Sequence, residues 1–136
     1  MSLLNYLIAT LITLIMMFGI DLVWLGLIAQ KSYQKQIGFL MAKKPNLKSA
    51  LLFYLIYSIG IIFFVVRPEI YHHDLYQVIE VGALFGLVCY ATFDLTASAI
   101  FKNWPDKLTL LDMVWGVFLT ALTSTLSYLI IINTIR

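Results

Sequence analysis

Residues 3–29 read LLNYLIATLITLIMMFGIDLVWLGLIA, and this stretch decides the fold. Its main polar interruptions are Asn5, Thr10, Thr13 and Asp21. A membrane-crossing helix needs about 20 mostly apolar residues, and this run exceeds that. It is continuous rather than alternating, so it predicts a helix and not a strand. Three comparable runs follow. Residues 49–66 carry no charge, residues 76–101 carry Glu80 and Asp94, and residues 108–135 carry Asp112. Arg67-Pro68 is expected to stop the second run, because proline disfavours helix at the residue before it. Trp104-Pro105-Asp106 predicts a tight turn between the third and fourth.

Four such spans use nearly all of the 136 residues. The expected architecture is all-α: one domain, 1–136, forming a four-transmembrane-helix bundle with no room for a soluble domain. Composition agrees. Hydrophobic residues make up 62% and charged residues 12%, against about 25% charged in a soluble domain. Mean hydropathy is +0.93. So few charges cannot cover the surface of a small soluble protein. A disordered chain and a nucleic-acid-binding module are excluded on the same ground, so the expected surroundings are a lipid bilayer. The first run lacks a basic leader and a small-residue cleavage site, so it is expected to be retained rather than removed as a signal peptide. Cys89 is the single cysteine, which excludes an intramolecular disulfide.

Lysine and arginine placement sets the expected orientation. Lys31, Lys35, Lys43, Lys44 and Lys48 lie between runs one and two, and Lys102 and Lys107 between three and four. The opposite side has Arg67 and Arg136 only. Both lysine-bearing links are therefore expected in the cytoplasm and both termini outside. Within the first link, Ile37, Leu40 and Met41 are spaced for a short helix resting on the membrane surface. Its lysines would meet anionic head groups.

Intramembrane carboxylates are costly and mark bundle interiors. Asp21, Asp94 and Asp112 all fall roughly 6–12 Å from the cytoplasmic ends of their helices, at 1.5 Å per residue. Asp21-Leu22-Val23-Trp24 resembles Asp112-Met113-Val114-Trp115. Aspartate at i and tryptophan at i+3 share a helix face, so Trp24 and Trp115 belong with the acids. Tyr90 lies one turn before Asp94, and Thr92, Thr96 and Thr109 offer further hydroxyls. The three acids suit a shared-proton site, since close carboxylates repel, or oxygen ligation of a hard cation. They equally suit a structural role, accepting hydrogen bonds from Trp, Tyr or Thr or pairing with Lys102 and Lys107.

Asp112, Gly116, Thr120, Thr123, Ser127 and Thr134 fall within an arc of about 80° on the fourth helix. Small and hydroxyl residues in such a stripe allow close helix packing. The alternative is a hydrated track from Asp112 towards Glu80, which is about 40° around its helix from Asp94. Gly82 and Gly86 form a close-packing motif for an intramolecular partner or a second copy. His72, His73 and Asp74 in the outer loop form no plausible metal site, and no phosphate loop, catalytic triad or cofactor motif is present. No metal and no cofactor are expected.

The segments Asp21-Leu22-Val23-Trp24-Leu25-Gly26, Leu51-Leu52-Phe53-Tyr54-Leu55-Ile56-Tyr57, Gly82-Ala83-Leu84-Phe85-Gly86-Leu87, Tyr90-Ala91-Thr92-Phe93-Asp94-Leu95-Thr96 and Asp112-Met113-Val114-Trp115-Gly116 together resemble a family of small bacterial inner-membrane proteins. It is known as domain of unknown function 2177. The resemblance covers nearly the whole chain. It implies a four-span bacterial inner-membrane protein and names no activity. It also hints at membrane lipid physiology. Where the family often places asparagine after Asp-Leu-Thr, this chain has Ala97.

The functional expectation is a small binding or transport bundle, not an enzyme. Its acidic pocket, formed by Asp21, Asp94 and Asp112, faces the cytoplasm and takes a proton, a cation or a small amphipathic molecule. The alternatives are a lipid-modifying enzyme or its accessory subunit using the same carboxylates, and an assembly partner using the Gly82/Gly86 face.

Overall fold

A computed structural model describes residues 1–135, and Arg136 lies outside the described residues. Four helices long and apolar enough to cross a membrane are present: α1 Leu3–Ile28, α3 Leu47–Val66, α5 Leu75–Ile100 and α6 Asp106–Thr134. Two shorter helices join them. They are α2 Gln30–Ile37, between α1 and α3, and α4 Glu69–His72, between α3 and α5. No strand occurs among the described residues.

Local chemistry sets the helix ends. Ser2, Asn46 and Asp74 cap α1, α3 and α5, each side chain accepting from the amide three residues on, at 3.2 Å. Such caps satisfy amides that have no intrahelical partner. The Asn46 cap starts α3 two residues earlier than the apolar pattern predicts. α6 also starts earlier than its apolar run, at Asp106 directly after Pro105, with no side-chain cap but with an acidic residue in its first turn, where the helix dipole favours negative charge. Between α5 and α6 the chain reverses through Asn103 in the left-handed region, φ 60°, a conformation asparagine tolerates.

Two segments widen to π-helix: Trp24–Ile28 at the end of α1 and Ile61–Val66 at the end of α3. Their amide bonds reach back five residues, from Ala29 to Trp24 at 2.7 Å and from Arg67 to Ile62 at 2.8 Å. Arg67 remains helical although Pro68 follows. The span still ends there, but the chain turns into α4, a short helix where the sequence suggests a plain loop.

α6 is the centre of the bundle. It packs along α5 over most of its length and also contacts α1, α2 and the π-helical end of α3. α1 buries only one stripe, Ala9, Thr13, Met17 and Asp21, one residue per turn. Its other faces expose Leu7, Leu11, Ile15 and Leu22, as expected of helices solvated by lipid. Between such helices there is no hydrophobic driving force, so close packing by small residues takes over.

Gly82 and Gly86 supply that packing within the chain. A Cβ at Gly82 would stand 3.0 Å from the Ser124 hydroxyl and 3.3 Å from the Ala121 Cα of α6. At Gly86 it would overlap the Gly116 carbonyl oxygen and the Thr120 side chain. Gly116 in turn lies under the Tyr90 ring, where a Cβ would also overlap. The glycine face is thus occupied by α6 rather than left open for a second copy. Gly86→Ala should destabilise the bundle by about 1–3 kcal/mol through overpacking. Gly19→Ala, with nothing within 4 Å of its would-be Cβ, should be neutral or mildly stabilising. Unfolding in mixed micelles reads both, and equal behaviour of the two variants would contradict this packing.

Candidate functional site

The two Asp-x-x-Trp segments come together at the end of the bundle nearest the lysine-bearing links. They do so crosswise. The Trp115 indole donates to Asp21 Oδ1 at 3.0 Å, so the tryptophan of one segment serves the aspartate of the other. Trp24 and Trp115 stack, with ring centroids 4.3 Å apart and planes within 6°. Trp24 Nε1 donates to the Tyr33 hydroxyl at 3.3 Å, and Tyr33 donates to Asp112 Oδ1 at 2.7 Å. Tyr54 on α3 donates to Asp21 Oδ2 at 2.5 Å. Asp21 therefore has a donor on each oxygen.

Tyr33 comes from α2, which sequence places in a membrane-surface anchor. The structure keeps a helix there but rotates its aromatic residue into the bundle. Ile37 is on this helix, whereas Leu40 belongs to the following 3-10 turn, Gly38–Leu40, and Met41 lies beyond it. The expected three-residue apolar face of one surface helix is not formed. Burial first, and the neighbouring Asp112 carboxylate second, push the Tyr33 phenol above its ordinary range. It stays protonated and acts as donor.

Asp94 has a different environment. It is 1% exposed, and no donor among the described residues reaches either carboxylate oxygen. It lines a cavity of about 190 Å³ with Asp21, Asp112, Tyr90 and Trp115. The Asp112 carboxyl lies within hydrogen-bonding range of Asp94. Trp104 lines the same cavity, and its indole N–H is also buried and without an acceptor. The volume holds about six waters at the liquid share of roughly 30 Å³ each, or one small polyatomic group. None of the lining residues is basic.

Asp21, Asp94, Asp112, Tyr90 and Trp115 thus share one cavity, and Trp24 stands behind Trp115. Among the described residues no three His, Cys, Asp or Glu side chains are arranged to hold a metal ion. Ligation of one divalent cation by all three acids is not supported, because Asp21 spends its oxygens on Tyr54 and Trp115. The extra hydroxyls do not join the site. Thr92 and Thr96 are exposed, and Thr109 donates to the Pro105 carbonyl.

The polar stripe of α6 is buried at Thr120, Thr123 and Ser127 but exposed at Thr134. Thr120 pairs with the Tyr57 hydroxyl at 2.7 Å. Glu80 is exposed while Asp94 is buried. A track ending at Glu80 is therefore not what the structure displays. The 40° offset puts Glu80 on the Asp94 side of α5, but at its level the helix buries Val78 and Gly82 instead, so Glu80 stands on an uncovered face.

Sequence reasoning missed Tyr33, Tyr54 and Trp104. Tyr54 carried a usable signal: Tyr54 and Tyr57 are spaced i,i+3 in a charge-free span, so two phenols share one face. By sequence Trp104 belongs to a turn and Tyr33 lies among the lysines of the first link, and neither position signals a place in the site.

The sequence model of a family described as "Predicted membrane protein (DUF2177)" matches residues 6–129. No curated protein matches the chain, and no solved structure does.

The hydrogen-bonded chain from Trp24 to Asp112 makes a definite prediction. Tyr33→Phe leaves Asp112 Oδ1 and the Trp24 N–H without their partners, and should cost about 1–3 kcal/mol. A fall in thermal midpoint together with changed tryptophan emission would bear this out. An unchanged midpoint would show that α2 is not tied to the bundle by this residue.

Proposed function

The chain belongs to this family of predicted membrane proteins, and we propose that it is a non-enzymatic binding bundle of the bacterial inner membrane. Its cavity takes a small organic cation. The lysine bias places the cavity end of the bundle towards the cytoplasm, with both termini outside.

One observation carries the reading: the Asp94 carboxylate, 1% exposed, lines the cavity with no donor to either oxygen and with only the Asp112 carboxyl beside it. Burying a polar group without a hydrogen bond is costly, and burying a charge more so. Such groups inside a membrane are functional by default. The surroundings select for positive charge. Asp94 and Asp112 supply acceptors, no basic side chain competes, and Tyr90, Phe93, Trp104 and Trp115 supply ring faces. Aromatic faces attract ammonium groups, most strongly when these are desolvated. The Trp104 N–H adds one donor for an occupant that also carries an acceptor.

A proton shared by Asp94 and Asp112 is the second reading, favoured by the two carboxyls lying within hydrogen-bonding range of each other in the same cavity. The two readings separate experimentally. Of the three tryptophans of the chain, Trp104 and Trp115 line the site and Trp24 stacks on Trp115, so tryptophan emission reports on this end of the bundle. Tetramethylammonium titrated into the protein in nanodiscs should shift that emission saturably. Asp94→Asn, which keeps shape and removes charge, should weaken binding at least about tenfold, the scale of a charge-assisted contact. Equal binding by Asp94→Asn and the native chain would reject the cation reading. pH-dependent emission, insensitive to tetramethylammonium and absent in Asp94→Asn, would favour the shared proton.

A further inference from the structure

We infer that the site takes an amphiphile, with its ammonium head at Asp94 and its alkyl chain in the groove between α3 and α5. This rests on the cation reading above and adds the chemistry of the rest of the ligand.

The groove is visible in the packing. α3 leans on α1, and its backbone comes closest to α5 along the π-helical end, Ile61–Val66. Before that end the Tyr57 ring bridges to Phe85 and Tyr90 of α5, with centroids 5.4 and 6.2 Å apart. The two helices therefore part towards the lysine-bearing end. The gap holds three cavities in a row. The first, about 410 Å³, shares Tyr90, Phe93 and Asp112 with the acidic cavity. The second, about 470 Å³, shares Phe53, Tyr57 and Cys89 with the first. The third, about 390 Å³, shares Phe64 and Phe85 with the second. Beyond the acidic end the lining is almost wholly apolar.

Length and access fit an alkyl chain. From Phe93 to Val81, α5 rises about 18 Å, close to half of the roughly 30 Å hydrocarbon core. The groove thus covers about one leaflet. Its rims are open to lipid, with Phe53, Ile56, Phe64, Leu84 and Val88 all exposed. An amphiphile enters sideways from the bilayer without passing its chain through water. The polar end lies at the depth where a head group of the lysine-side leaflet reaches inward. Gly60 widens the middle, since a Cβ there would stand 2.9 Å from the Phe85 ring. Charge decides the head: an anionic one would meet three carboxylates and no cation in the acidic cavity.

Cys89 lies where the first two groove cavities join and is not among the residues lining the acidic cavity. Cys89→Phe fills the groove, and Cys89→Ser controls for loss of the thiol. Dodecyltrimethylammonium and tetramethylammonium are the probes, in nanodiscs, with tryptophan emission as readout. The native chain and Cys89→Ser should bind both. Cys89→Phe should bind dodecyltrimethylammonium about tenfold more weakly, the scale of overfilling a packed site, and tetramethylammonium unchanged. Asp94→Asn should lose both. Undiminished binding of the long-chain probe by Cys89→Phe overturns the chain site while leaving the cation reading standing. Loss of both probes in Cys89→Phe, with Cys89→Ser normal, also overturns it, because the head site itself has then been disturbed. Binding of neither probe to the native chain, or of both to Asp94→Asn, overturns the cation reading and this inference with it.

Discussion

The Asp21 carboxylate needs two donors, and meeting that need ties three helices together. Inside hydrocarbon there is no water to satisfy a polar group, so partners must come from the protein. Tyr54 brings α3 to one oxygen of Asp21, and Trp115 brings α6 to the other. With Trp115 held, its ring becomes the surface on which Trp24 stacks. Trp24 then reaches Tyr33, and Tyr33 reaches Asp112. One buried acid thus organises α1, α3 and α6 directly and docks α2 through a chain of aromatic donors.

α5 is held by a different force. Its glycines let it lie against α6 at a distance no larger residue permits, and the contact is made of backbone, Ser124 and Thr120. This packing brings Asp94 into the bundle interior without bringing it a donor. The three intramembrane aspartates therefore divide. Asp21 has both oxygens engaged in holding the fold, Asp112 has one engaged by Tyr33, and Asp94 has none. A structural role for the acids and a functional one are both realised, on different residues. The widened Trp24–Ile28 turn belongs to the same region, as π turns often accompany sites where a side chain must be re-aimed.

Much of this was legible in the residues. Four apolar runs of membrane length, the bias of lysines to one end and three acids near that end follow from composition and spacing. So does the presence of a tryptophan one turn after Asp21 and one turn after Asp112. The partners were harder. The likeness of the two Asp-x-x-Trp segments suggests that each tryptophan serves its own aspartate. In fact Trp115 serves Asp21, because α1 and α6 cross at this level and face each other. Glu80 shows the converse limit. Its angular position on α5 follows from the spacing, yet it is exposed, because what covers a helix face changes along its length.

The sequence by itself determined the class of protein, the number of spans and the end of the bundle at which polar chemistry collects. These depend on transfer of side chains between water and lipid, which each segment settles alone. Only the tertiary structure decided which carboxylate is satisfied and which is left open. It also decided that Tyr33 and Trp104 enter the site from segments outside the spans, and that α3 and α5 part to leave a groove. Each of these is a relation between helices, and the donor that reaches a given oxygen is set by how the helices cross.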